Sequence, residues 1–445
     1  MTPGSIFTRA TTSALPRRVA DRIGRARIVA LVFLLAYAAL LLVLGGHSAW
    51  GRLGVPAATP TFLDLRSVTT AWECDRRGVA VLEMNPCDPE RRPANYPRVW
   101  VELSILGLGN DDTVPLGFVL AAIALVAAFA VVPRGAPARD GVVYGAAICS
   151  PATMLGLERG NVDVLLFAFL VAAALALRRG GVPAVASYAL VFLSAVLKLF
   201  PILATGMLLR HSLRARSRWW LLAPAAVVAA FGVYALATLG DIQTIARVVP
   251  QIEGYSYGVR PFGVWWSNAV PPFSARVWSA VLLAALLALY LVLSPRLRRL
   301  FPPGESSERS AHDLDLFWAG AAIYVCSYAL FQNWAYRLIF LLLTLPQLLR
   351  WSQDGRRAAV ATVALVVATQ WLVSPWTGVP IVGWIVTGWD YLTAFRPLTN
   401  YRSLSAAATV QLALAAALLA ALVATLPPVR IGARRTPAPV GTHRR

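Results

Sequence analysis

The sequence predicts an all-α, polytopic membrane fold of about eleven or twelve transmembrane segments, with a long external loop after helix one. Three observations carry that prediction. Hydrophobic residues make up 58% of the 445-residue chain and charged ones only 14%, with a mean hydropathy of +0.62, a balance far from that of soluble domains. Apolar runs of helical length recur along most of the chain. Finally, of the 41 basic residues all but Lys198 are arginine, and they cluster in short connections between the apolar runs. The net charge of +20 therefore reads as membrane topology, with no nucleic-acid partner.

Residues 1–27 read as a cytoplasmic tail, because Arg9, Arg17, Arg18, Arg22, Arg25 and Arg27 precede an uncleaved span from about Ile28 to Gly46. Residues 47–112 form the external loop and hold nine of the 21 acidic residues. Further spans fall near 114–132, 141–157, 162–177, 184–209, 219–239, 276–294, 314–331, 335–349, 357–373 and 404–426. The transmembrane body is thus 28–426, and the Pro- and Arg-rich tail 427–445 reads as cytoplasmic and disordered. Arg-rich connections belong on the cytoplasmic side. One pass per segment, however, puts Arg210 to Arg218 outside and reverses every later loop. The conflict disappears if 184–209 turns back on itself at Pro201, which lacks an N–H and clashes with the preceding turn. Legs of about 14 and 9 residues, at 1.5 Å each, stop short of ~30 Å of hydrocarbon. The other reading is one long tilted helix followed by a single exceptional basic loop. With the hairpin, both termini are cytoplasmic in an inner or plasma membrane.

Four polar sets then share the external side. Asp64 lies in Phe62-Leu63-Asp64-Leu65-Arg66, near the membrane end of the long loop. Its rivals there are Glu73, Asp75 and Asp88, and its neighbour Arg66 is placed to hold it ionised. Glu158-Arg159-Gly160-Asn161-Val162-Asp163 joins two apolar spans with almost no loop; it reads either as a solvated turn or as a polar site at poorly solvated helix ends. Lys198, in Leu197-Lys198-Leu199-Phe200-Pro201, sits at the hairpin apex, where a cation faces a wet cavity or an anion unless it snorkels to the interface. Gln332-Asn333-Trp334-Ala335-Tyr336-Arg337 is the fourth set; an aromatic belt accounts for its rings but for neither the amides nor Arg337. A carboxylate, cations and amides together suit a sugar linked through phosphate to a long isoprenoid: cations for the phosphate, amides and aromatics for hydroxyls, a groove for the tail. A general base is then needed for the acceptor hydroxyl.

These residues resemble the GT-C superfamily of membrane glycosyltransferases, and most of all glycosyltransferase family 87, the polyprenol-phosphate-mannose-dependent mannosyltransferases. The likeness rests on Asp64 in the first external loop, on Arg159-Gly160-Asn161 before a helix, and on Lys198-Leu199-Phe200-Pro201 some forty residues later. Asn95-Tyr96-Pro97 and the stretch from Tyr336-Arg337 to Pro346-Gln347 fit as well, so the resemblance covers about residues 30 to 350. It implies a GT-C-like fold, a polyprenyl-phosphate sugar donor and a glycolipid or glycan acceptor among membrane lipids. Asp64 would be the catalytic base, and Arg159, Lys198 and Arg337 would hold the departing phosphate. Arg66, Asn95, Tyr96, Glu158, Asn161, Gln332, Asn333 and Tyr336 complete the expected substrate-binding set. One departure stands out: many members carry Gln where this chain has Asn161.

Cys74 and Cys87 share the external loop, where a bridge would close about 14 residues and contribute roughly 3 kcal/mol; two free thiols are the alternative. Neither HExxH, paired CxxC, a Walker loop nor a dinucleotide fingerprint occurs, so no cofactor is expected. Asp64 with Glu158 or Asp163 could take Mg or Mn, but the spacing requires no metal. A transporter or flippase for a lipid-linked or anionic solute is the leading rival, since broken helices and intramembrane charges serve transport too; a non-catalytic envelope-assembly subunit is the third.

Overall fold

The computed structural model describes residues 23–45, 47–215, 218–249, 256–269, 273–301, 308–330, 332–372 and 401–426. Residues 1–22 of the amino-terminal tail and the tail 427–445 lie outside them.

In chain order the helices are α1 (Arg25–Val43), α2 (His47–Arg52), α3 (Leu63–Asp75), α4 (Arg98–Glu102), α5 (Thr113–Val131), α6 (Ala138–Ile148), α7 (Pro151–Arg159), α8 (Asp163–Arg179), α9 (Gly181–Leu197) and α10 (Thr205–Ala215). They continue with α11 (Arg218–Ala237), α12 (Leu239–Val248), α13 (Val259–Ala269), α14 (Ala275–Leu300), α15 (Glu308–Leu330), α16 (Leu345–Gln353), α17 (Arg357–Leu372) and α18 (Tyr401–Ala424). Among the described residues the strand content is one antiparallel pair, β1 (Ser256–Tyr257) and β2 (Asn333–Trp334), with Tyr257 opposite Asn333. The protein is thus all-helical in character, and several of its helices are able to cross a membrane. Three described helices are long and apolar enough, or up to five if each sharply bent pair is one span.

Some of the apolar runs in the hydropathy pattern are interrupted. The run 141–157 divides at Cys149-Ser150: Ser150 caps α7, its Oγ accepting from Thr153 N at 3.3 Å, and Pro151 takes the first helical position. The run 335–349 is a 3-10 helix over Ala335–Thr344 followed by α16, with Pro346 at its start. α7 and α8 are bent by 111°, and the pair Leu222–Ala237 and Leu239–Val248 by 74°. Within 184–209 the helix stops at Lys198, whose backbone is extended (φ −165°, ψ 94°). The break expected at Pro201 therefore falls three residues earlier. Pro201 sits in the first turn of the 3-10 helix Phe200–Ala204, where its missing N–H has no bond to lose.

The loop 47–112 is folded. Cys74 and Cys87 are joined by a disulfide with a Cα separation of 5.9 Å. The Trp72 indole donates to Trp100 O, and Arg76 Nη1 donates to Ser104 O (3.1 Å) and Leu108 O (2.6 Å). Together these bonds bind α3, which carries Asp64, to α4 and the 3-10 turn Leu103–Leu106. α1 packs on α6 through Gly141 and Gly145, one turn apart: a Cβ on Gly141 would lie 2.7 Å from Val29 Cβ, and one on Gly145 2.8 Å from Phe33 Cβ. Small residues spaced by four let two helix backbones approach this closely. The central core includes Phe340, whose ring meets Phe167 (6.1 Å between centroids) and Phe200 (5.4 Å) edge-on. Phe200 directly follows the Lys198 elbow, so this core supports the polar cluster described next.

Candidate functional site

The site is built around the turn between α7 and α8. Gly160 ends α7 in the left-handed region (φ +59°), with its N–H bonded to Leu157 O and that of Asn161 to Gly156 O, the pattern glycine favours at a helix end. Space imposes the same choice, since a Cβ here would lie 3.0 Å from Leu65 Cβ and 3.2 Å from Phe62 Cβ. The turn is thereby pressed against the start of α3. Phe62, which precedes that helix, is itself left-handed (φ 56°, ψ 45°), a conformation a bulky residue keeps only when its surroundings hold it. Here they do, because the Phe62 ring lies over Gly117 and edge-on to Phe118 at 5.4 Å.

From this turn Asn161, only 1% exposed, reaches in two directions. Its Nδ2 donates to Asp64 Oδ2 at 2.6 Å and lies 3.4 Å from the Tyr96 hydroxyl. Its Oδ1 accepts from Asp163 N (3.0 Å) and from Lys198 Nζ (3.2 Å). Asp163, fully buried, pairs with both cations: Oδ1 lies 2.6 Å from Lys198 Nζ and Oδ2 3.3 Å from Arg337 Nε. Arg337 also donates to Asn333 Oδ1, and Asn333 Nδ2 donates to Ser327 O at 2.6 Å. Aromatic faces enclose the cations. Lys198 Nζ is 5.1 Å from the Tyr96 ring centre and 5.4 Å from that of Tyr336, while the Arg337 guanidinium is 4.4 Å from Phe200. Burial, with the charges of Asp64 and Asp163 beside it, holds the Tyr96 phenol well above its ordinary range, so it stays protonated. Two carboxylates and two cations balance in charge. The Lys198 and Arg337 side chains keep 15% and 17% exposure and Asp64 is half-buried, so the cluster remains open to a ligand.

The Lys198 elbow is fixed through the carbonyls that a broken helix leaves without partners. Trp100 Nε1 donates to Leu197 O at 2.8 Å and the Tyr234 hydroxyl to Val196 O at 3.2 Å. Bidentate pairing of Arg98 with Asp241 (2.6 and 2.9 Å) ties α4 to α12 beside it.

Chain positions as distant as 64, 96, 161, 198 and 333–337 thus meet in one cluster. Other expected site residues have different partners. Arg66 donates to Asn110 Oδ1 and does not face Asp64; the two are separated by two positions on a helix and point away from each other. Glu158 and Arg159 pair with each other (3.3 Å) and anchor the chain before α3, Glu158 accepting from Ala58 N (2.8 Å) and Arg159 donating to Pro56 O (3.3 Å). Gln332 Nε2 donates to Ser256 Oγ (2.9 Å), holding β1 to β2. Asn95 is half-buried beside Tyr96 and has no hydrogen bond to the cluster.

Three residues that matter here were not assigned a site role from sequence, Arg92, Trp100 and Tyr234, and a fourth, Asp163, was weighed only as a metal ligand. Arg92 is held by Asp88 (Nε 3.1 Å, Nη2 2.9 Å) and donates to Leu63 O (3.0 Å), which brings another positive charge near Asp64. The sequence does signal Asp163, through its place two residues beyond Asn161. Trp100 and Tyr234 carry no local signal, since their partners lie 97 and 38 positions away.

Compared with known proteins, the chain matches no family model, no curated protein and no solved structure.

Proposed function

We propose that this protein is an inverting membrane glycosyltransferase that moves a sugar, mannose in the first instance, from a polyprenyl-phosphate donor to an envelope glycolipid or glycan. The observation that supports this most is the linkage of Asp64 through Asn161 to Lys198, with Arg337 joined to the same group through Asp163. A carboxylate able to take a proton stands next to cations able to receive a phosphate, in a chain with helices long enough to span a membrane.

In this reading Asp64 accepts the proton of the acceptor hydroxyl as its oxygen attacks the anomeric carbon. The anomeric C–O bond breaks with its electron pair going to the phosphate oxygen, and Lys198 and Arg337 stabilise the charge gathering there. Attack opposite the leaving group inverts the configuration. Tyr96 and Tyr336 flank Lys198 and offer rings and hydroxyls to the sugar. Glu158 and Arg159 act at one remove, holding residues 56–58 so that α3 keeps its place. The fold class is GT-C-like, the site opens on the external face, and both termini lie in the cytoplasm.

The test is chemical. Full-length protein in lipid nanodiscs is offered polyprenyl-phosphate mannose, glucose and arabinose in turn, each with a crude envelope-lipid extract. The reading expects one donor to be consumed with release of free polyprenyl phosphate. Donor that crosses a sealed vesicle membrane unchanged would replace it with the transporter reading.

A further inference from the structure

The pairing of Asp163 with both cations leads beyond that reading, on which the following rests. A phosphate-binding cation pair that stood open would be expected to keep its charges free for the ligand. Here both are already engaged by one fully buried carboxylate, 2.6 Å from Lys198 Nζ and 3.3 Å from Arg337 Nε. Its place is fixed independently of any ligand, because Asp163 begins α8 and its N–H is bonded to Asn161 Oδ1. The neighbouring ionic groups, Arg92 with Asp88 and Glu90 and Arg159 with Glu158, are paired among themselves. Before ligand arrives, the central charges are therefore two positive, Lys198 and Arg337, and two negative, Asp64 and Asp163.

We infer that Asp163 is a built-in counter-anion that shares Lys198 and Arg337 with the phosphate and thereby drives release of the polyprenyl-phosphate product. The donor is a phosphodiester with one negative charge. Transfer breaks its sugar–oxygen bond, leaves the electron pair on a phosphomonoester with two negative charges, and places the acceptor's proton on Asp64. The total is unchanged during the step, but once Asp64 gives up that proton the site holds a dianion beside two carboxylates and only two cations. Repulsion at such distances in a poorly solvated site is strong, and it expels the product where an unopposed cation pair would retain it. Asp163 is a positioning residue in this scheme, acting on the phosphate through the two cations.

The experiment measures binding of two probes to the full-length protein in nanodiscs at about pH 8, where a phosphomonoester is doubly charged. Decyl phosphate stands for the product headgroup and methyl decyl phosphate for the donor headgroup. Wild type is expected to bind the diester at least as tightly as the monoester. Asp163→Asn is expected to bind decyl phosphate about tenfold more tightly, with a smaller gain for the diester, and to turn over donor with both kcat and KM lowered. Asp163→Glu, which keeps the charge, should restore the wild-type preference. Two results would overturn the inference: a tenfold or greater preference of wild type for the monoester, which needs no variant to fold, or an Asp163→Asn protein of unchanged unfolding temperature that binds decyl phosphate no more tightly than wild type. Gained affinity in a protein that consumes no donor would uphold the counter-anion while removing the glycosyltransferase reading on which it was based.

Discussion

Asn161 is the residue on which the two halves of the cluster depend, since one amide holds Asp64 through its nitrogen and Lys198 through its oxygen. Replacing it with alanine removes both bonds, together with the one accepted from Asp163 N, yet leaves every charge in place. Loss of a base held in its productive orientation is expected to lower kcat by about ten- to a hundredfold, with a rise in donor KM from the loosened Lys198, which steady-state kinetics of Asn161→Ala would read directly. Gly160 is constrained in a different way, by backbone and by space together. Gly160→Ala forces a side chain into a left-handed position at a cost of about 1–2 kcal/mol and against Leu65 and Phe62 besides. A lower unfolding temperature is therefore expected. The Arg-Gly-Asn turn reads in the sequence as a solvated turn or a polar site; of its residues Asn161 meets Asp64 and Lys198, whereas Arg159 pairs with Glu158. Arg66, two positions from Asp64 on the same helix, is directed elsewhere, to Asn110, because positions i and i+2 of a helix diverge.

At the scale of elements, breaks in helices organise this molecule more than the helices themselves. Lys198 projects from a chain that has left its helix, and the released carbonyls of Val196 and Leu197 are taken up by Tyr234 and Trp100. Trp100→Phe keeps an aromatic ring but leaves Leu197 O unpaired, which costs about 1–3 kcal/mol for a buried polar group. The expected outcome is a less stable protein whose donor KM rises because Lys198 is no longer fixed, and a Tyr234→Phe variant should show the same change in weaker form. The disulfide acts within the long loop, closing the chain between Cys74 at the end of α3 and Cys87 just before the Asp88–Arg92 pair. Replacing both cysteines with serine should lower stability by roughly 3 kcal/mol in the chain-entropy account, as followed by thermal unfolding. Such breaks were only partly legible. Ser150-Pro151 is a helix-start signal, yet a twenty-residue average passes over it, and Gly160-Asn161 signals a turn without giving its angle of 111°.

For the whole molecule, the sequence conveyed its class through composition and the placement of arginine, and the described residues form helices with one short strand pair. Composition cannot indicate which apolar runs are continuous, and so does not anticipate the breaks at Cys149-Ser150, Lys198 and Thr344-Leu345. Nor could it foresee that the long loop would fold into helices bound to one another and set Asp64 against α7 and α8. The assembled account places a base and a phosphate clamp in one cluster drawn from five distant stretches of chain. It is tested most directly by donor turnover with wild type and Asp64→Asn side by side in nanodiscs, with the best donor of the panel and unfolding temperature as the folding control. The account predicts a variant that is equally stable and still binds decyl phosphate, but is slower by about a hundredfold or more, as removal of a general base requires. Equal turnover by the two proteins would contradict it.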